Sequence, residues 1–259
     1  MLTDPDGMFF TQREVPTMAT LSVELNENGL NVSANGFGSL AIPFEPDRGM
    51  RRKVVVWQSE VAAEVYNGAI CEWFSDVLGR KCKLVLMPET SERHVKELFD
   101  SGKDIVSFAD GFPLMVIGEA SLDELNRRIS LNAKNEDEGS RAPLPMNRFR
   151  PNFVVSGSTA FEEDNWGRIR VGEAVFRSTK PSERCVITTV EQSSGEFDGK
   201  EPLRTLAGFR VAKSVMPERV EELGLTPNAV IFGQNLIPEN PGSSIRIGDP
   251  VEAIELRDS

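Results

Sequence analysis

Apolar residues in this chain gather in short strand-like runs separated by turn residues, and only a few stretches carry helical spacing. Met8-Phe9-Phe10 and Ala19 to Leu25 read as strands, and Asn28-Gly29 supplies a hairpin turn into Leu30 to Ser33. Lys53 to Trp57 is a further strand. The period then changes. After Asn67-Gly68, residues Ile70, Trp73, Phe74, Val77 and Leu78 recur at i, i+3 and i+4, predicting an amphipathic helix that Gly79 stops. Cys71 flanks that apolar stripe and Cys82 follows it, and both read as small buried hydrophobes. A domain boundary is expected between Met87-Pro88 and Asp104, giving a first domain over 1–90 and a second over 91–259.

In the second domain, Ser121 with Glu124 reads as a capping box ahead of Leu122, Leu125 and Ile129. The polar run Asn132 to Arg141 reads as a solvated loop. Two segments, Ile169 to Val175 and Ile245 to Val251, each alternate apolar and basic residues before a Gly that would open a two-residue hairpin turn. Pro202 and Pro217 are each placed to begin a short helix. Many strands with few, short helices imply a mainly β protein of α+β type, built on a mixed antiparallel barrel.

Composition narrows the function. With 40 acidic against 29 basic residues the net charge is -11, which argues against nucleic-acid binding. The charge serves solubility, with docking of a basic redox partner as the sharper option. No run approaches the roughly 20 apolar residues that span a bilayer, and no signal-peptide pattern opens the chain. Three cysteines cannot build a disulfide framework, so a reducing, cytoplasmic setting is expected. The single histidine, His94, lies in a charged stretch read as an exposed helix, which leaves hydrolase triads and ordinary zinc sites without their residues.

Cys185 carries the most chemistry. It stands between Arg184 and the β-branched run Val186 to Val190, which reads as a strand. A thiol beside a fixed cation ionises more readily, and the thiolate either ligates a soft metal or attacks an electrophile. The spacing leaves both open. Upstream, Arg148-Phe149-Arg150-Pro151-Asn152 leads into Phe153-Val154-Val155. Pro151 favours an extended Arg150, whose guanidinium would project from the start of the strand, whereas Arg148 reads as solvent-facing.

These stretches, taken in order, resemble the MOSC domain. Phe108 to Pro113 with Ile117 to Leu122 is similar to its first signature, Arg148 to Asn152 to the second, and Arg184-Cys185 with Thr188-Thr189 to the third. Glu201 to Leu206, Phe232 to Asn235 and Ile247 to Val251 follow in family order. Thr11 to Glu14 and Glu72 to Ser75 are similar to the β-rich domain that precedes MOSC in one branch. That branch holds the mitochondrial amidoxime-reducing component and bacterial N-hydroxyl-reducing relatives. The family's opening Lys-Ser and Asp-Arg-aromatic elements have no counterpart here, so the N-terminal barrel is expected to lack its first strand.

The resemblance implies a MOSC-type barrel that carries molybdenum cofactor, Mo-molybdopterin, with Cys185 as metal ligand and catalytic centre. It implies cofactor contacts from Arg150, Asn152, Glu183, Arg184 and Asn235, and from the loop Asp110-Gly111-Phe112, where close relatives have small hydroxylated residues in place of Gly111 and Phe112. It assigns Arg13 to the cofactor phosphate, and Ser182 stands where the family often has a further Cys. At superfamily level it also brings pyridoxal phosphate binding. The activity implied is reduction of small N-hydroxylated substrates, hydroxylamines and amidoximes. The alternative is a cofactor carrier or sulfur-delivery module without turnover. Because the chain shows no flavin, nicotinamide or iron–sulfur fingerprint, electrons are expected from a separate donor: a cytochrome b5-like, ferredoxin-like or flavoprotein partner. A mitochondrial or membrane-anchored location is the alternative to the cytoplasm if a targeting segment lies upstream of Met1.

Overall fold

A computed structural model of the chain describes residues 1–47, 49–133 and 143–257. The protein is mainly β and divides into two compact units by more than one crossing of the chain. The first comprises Met1–His94, Ile105–Phe108 and Val190–Phe197; the second comprises Val95–Asp104, Ala109–Thr189 and Asp198–Ser259.

The first unit holds β1 (Leu2–Thr3), β2 (Ser22–Asn26), β3 (Gly29–Ala34), β4 (Gly38–Pro43), β5 (Met50–Val56), β6 (Ser59–Val65), α1 (Gly68–Leu78) and β7 (Lys83–Leu86). β2, β3 and β4 form one antiparallel meander, while β1, β7, β6 and β5 form a second sheet in that order. The Asn28-Gly29 hairpin is present, but Pro16–Thr20 is a 3-10 turn, so the strand expected from Ala19 begins at Ser22. Pro16 fixes a helical φ at the start of that turn and has no N–H to give a ladder. α1 obeys its local signals: Asn67 accepts a hydrogen bond from the Ile70 N–H at 3.1 Å, and Gly79 closes the helix at φ 64°. Its buried face, Ile70 and Phe74, joins Cys82, Leu2 and Val32 in one core. Cys71 is half-buried; burial pushes the Cys82 thiol pKa up.

The second unit is organised by a six-stranded sheet of β8 (Leu114–Gly118), β9 (Phe153–Val155), β10 (Trp166–Val171), β11 (Ala174–Glu183), β14 (Ile231–Pro238) and β15 (Val251–Leu256). Its order is β15-β10-β11-β14-β8-β9, antiparallel except for the β8–β9 pair. The numbers between belong to β12 (Val190–Glu191) and β13 (Glu196–Phe197), a short hairpin of the first unit. One core lies on this sheet around Trp166, Ile169, Phe176 and Leu236. A second lies under α2 (Glu119–Ala133), where Leu125, Ile129, Phe149 and Phe232 are almost wholly buried. Burial of each such side chain contributes about 1.5–3 kcal/mol. Two short helices follow, α3 (Leu203–Ala207) and α4 (Ala212–Val215). Among the described residues no helix is long and apolar enough to cross a membrane.

Several local expectations give way to tertiary contacts. Ser121 does not cap α2, which starts two residues earlier: its hydroxyl donates to the buried Glu163 carboxylate at 2.8 Å and accepts from the Phe161 N–H. Of the expected polar loop, Asn132 and Ala133 continue α2, and the remainder up to 141 lies outside the described residues. Gly172 and Glu173 make the hairpin turn between β10 and β11. Ile245 to Pro250 forms no second hairpin; it is a turn closed by the Asp249 N–H on the Arg246 carbonyl, leading into β15. His94 is exposed as expected but sits in an isolated bridge to Ile105, not a helix.

Candidate active site: a cationic cavity around Cys185

The site begins with a fault in a strand. Pro181 lies within β11 and has no N–H for its partner β14, so the pairing slips between Ser178 and Pro181 and again before Glu183. A regular strand sends alternate side chains to opposite faces. Here Lys180, Ser182 and Arg184 reach the same cavity as their neighbours Glu183 and Cys185. Irregularities of this kind re-aim side chains beside functional sites. The run after Cys185 is a 3-10 turn, Val186–Thr189, where a strand was expected. The Thr188 N–H and hydroxyl both bond the Cys185 carbonyl, at 3.1 and 2.9 Å, and this local closure holds the half-buried thiol at the turn's start.

The cavity measures about 390 Å³ and lies wholly within the second unit. Nine of the ten candidate residues line it: Cys185, Arg184 and Glu183 from the end of β11, Asn235 from β14, Arg150 and Asn152 before β9, and the loop Asp110-Gly111-Phe112. Arg13 belongs to the first unit, where its guanidinium stacks over Trp57 at 4.9 Å.

Arg184 is the most constrained of them. It donates to the Phe149 carbonyl at 2.8 Å, to the Ser182 hydroxyl at 2.9 Å and to the Met115 sulfur at 3.0 Å. Its Nε has no partner among the described residues. Burial lowers its pKa to about 10, with Cys185 and Asp110 pulling it back up and Arg150 pushing it further down. It therefore stays cationic at neutral pH, and the four groups share one electrostatic neighbourhood. Glu183 is clamped: Lys180 donates to one oxygen at 2.7 Å and the Thr226 N–H to the other at 2.9 Å. Burial opposes its charge, yet those two donors prevail and its pKa is lowered. Asn152 accepts the Met115 N–H through its side-chain oxygen, and Asn235 donates to the Lys180 carbonyl. Phe112 is buried, with its ring edge-on to Phe99 at 5.3 Å.

Two expectations about the second signature are corrected. Arg150 is not extended; it adopts a left-handed φ of 54° ahead of Pro151, fixed by its N–H on the Asn147 carbonyl as the chain leaves a 3-10 turn. Such a conformation costs a non-glycine residue about 1–3 kcal/mol and persists only where the surrounding structure over-determines it. Arg148 is not solvent-facing but 1% exposed, paired with Asp198 at 2.9 Å and bonded to the Thr189 carbonyl at 3.0 Å. Lys96, Lys180 and Met115 also line the cavity and were not singled out in the sequence. For Lys180 the available signal was Glu183 three residues on; for Lys96 and Met115 there was none.

Among the described residues no group of three or more His, Cys, Asp or Glu is placed to hold a metal ion. A metal that arrives within an organic cofactor needs only one protein thiolate, with charged and polar groups for the rest of the molecule. The Cys185 thiol, the unpartnered Arg184 Nε and the exposed Arg150 fit that requirement.

Comparison with known proteins matches this architecture. Residues 103–252 match the MOSC domain and residues 1–81 the MOSC N-terminal beta barrel domain. Mitochondrial amidoxime-reducing component 1 of Mus musculus is 31% identical over 97% of this chain and 70% of its own length. Mitochondrial amidoxime reducing component 2 of Rattus norvegicus is 29% identical over 97% and 71%. The molybdenum cofactor sulfurase of Oryza sativa subsp. japonica is 30% identical over 82% of this chain but only 27% of its own length. With residues of its first three signatures on one cavity and these matches along nearly its whole length, the chain belongs to the MOSC-domain family, with the family's N-terminal β-barrel domain ahead of the MOSC domain.

Proposed function

We propose that the cavity holds molybdenum cofactor and that the protein reduces N-hydroxylated compounds with electrons from a separate donor protein. The observation that carries this reading is the convergence of the Cys185 thiol with Arg184, Arg150 and Asp110 on one lining. When bound, the cofactor supplies the two-electron, oxygen-accepting chemistry. In balance, the N–O bond of R–NHOH breaks, two electrons and two protons enter, and the products are R–NH2 and water. Cys185 supplies the thiolate ligand. Arg184, held by three acceptors, presents a fixed positive charge beside it. Arg150 offers a guanidinium for bidentate hold on an anionic oxygen, and the NH2 end of Asn152 is a donor beside it. Arg13 keeps its proposed role at the cofactor phosphate from the resemblance alone. A reducing compartment suits the three free thiols.

A second reading, a carrier or sulfur-delivery module, is favoured by the sulfurase relative. Two measurements separate them. Molybdenum per chain close to one, with turnover of benzamidoxime by a reduced viologen dye, is the expected result. Molybdenum without turnover supports the carrier, and no molybdenum after expression in a cofactor-competent host overturns both. Within the site, Arg150→Ala should retain less pterin per chain after gel filtration than Arg150→Lys, because lysine keeps the charge and gives up the fork. Equal retention by both variants and the parent would remove Arg150 from the site.

A further inference from the structure

The cavity lining is cationic in an acidic protein. The chain carries a net charge of -11, yet the lining presents five cations and two carboxylates. Most of these charges are already spoken for. Arg148 is paired with Asp198, and Lys180 with Glu183. Arg184 donates to three acceptors in the lining, and Cys185, Arg150 and Asp110 all act on its charge. Lys96 is left over. It is exposed, lines the same cavity, and lies outside the set of charges that act on Arg184.

A lysine ammonium is strongly hydrated and remains free in water unless an anion offers it more. In a concave lining, the field of several like charges adds and draws anions from solution. The cofactor, on the reading above, occupies the group around Cys185. The second molecule that must enter is the substrate, and the unengaged cation is the one that it meets. We propose that the cavity takes N-hydroxylated substrates that bear an anionic group, a carboxylate in the simplest case, and that Lys96 selects for it. This rests on the proposed reductase function and names its substrate class. The contact is exposed, so a modest preference is expected: about fivefold, as for a single solvent-screened ion pair.

The test compares 4-carboxybenzamidoxime with benzamidoxime, as the ratio of their kcat/KM values per bound molybdenum. The parent should favour the carboxylate about fivefold, and the ratio should shrink as salt rises from about 0.01 to about 0.5 M. Lys96→Gln should bring the ratio to about one and Lys96→Glu below one, while Lys213→Gln, an exposed lysine on α4, should leave it as in the parent. A ratio of one in the parent, or one indifferent to Lys96, overturns the inference while leaving the reductase reading standing. If neither amidoxime is turned over, the reductase reading fails by itself. Calorimetric binding of 4-carboxybenzamide against benzamide, by parent and Lys96→Gln, then decides the inference: loss of preferential carboxylate binding in the variant sustains it, and no preference in the parent sinks it.

Discussion

Cys185→Ala should abolish amidoxime turnover and strip molybdenum from the protein while leaving the melting temperature nearly unchanged. The side chain is half-buried at the head of a 3-10 turn, and the turn is closed by the Cys185 carbonyl, which the substitution keeps. Removing one sulfur there is a small packing change, on the order of 1 kcal/mol or less. The chemistry, by contrast, has no substitute. Cys71 and Cys82 belong to the first unit, Cys82 within its core, and no histidine lines the cavity among the described residues. The measurement is molybdenum by mass spectrometry beside turnover and thermal unfolding. Full turnover in the variant would show that the ligand assignment is wrong. Cys185→Ser gives a finer reading, since a hydroxyl is a harder donor and should restore volume without restoring metal.

Arg148→Met should do the opposite, harming the fold first. Its guanidinium is 1% exposed and joins Asp198 to the Thr189 carbonyl, fifty and forty-one residues further along the chain. Methionine retains most of the volume but takes the guanidinium away from the partly exposed Asp198 carboxylate and from the Thr189 carbonyl, which keeps only the Asp198 N–H at 2.8 Å. Removing one side of this half-buried pair costs about 2–3 kcal/mol, less than the roughly 3–5 kcal/mol of a fully buried one, which for a domain of this size lowers Tm by roughly 4–12 °C. The pair also pins the end of the 3-10 turn Met146–Arg148, directly ahead of Phe149, whose carbonyl Arg184 needs. Cofactor loss should therefore follow in proportion to lost stability. A double variant, Arg148→Met with Asp198→Asn, should recover part of the loss, and a cycle without coupling would mean that the ion pair contributes nothing.

The sequence spoke clearly wherever a signal was local. Asn67 and Gly79 bracket α1 because a cap and a left-handed stop act within one turn of the helix. Asn28-Gly29 marks a real hairpin for the same reason. The signals that misled were local motifs whose atoms are claimed from far away. Ser121 and Glu124 spell a capping box, but Glu163 takes the hydroxyl, and Arg127 and Arg128 take the Glu124 carboxylate. Arg148 looked like one more basic residue in a basic run, since its acceptors lie beyond the reach of any periodicity. The candidate site was legible as ordered family words, which name Cys185 and its neighbours without their geometry. The strand fault at Pro181, which brings Lys180 and Glu183 to the same wall as Cys185, was written in plain sight as a proline among β residues. Its effect depends on the partner strand, which only the fold supplies.

The left-handed Arg150 sets two demands against each other at one codon. Glycine would adopt φ 54° without strain, so a library randomised at this codon and sorted only for resistance to heat should drift toward glycine. A library sorted for retained molybdenum should hold Arg150 and accept the lower melting temperature. The distance between the two winning pools at this single position would measure, in sequence alone, how much foldedness the site gives up for the anion grip proposed for Arg150.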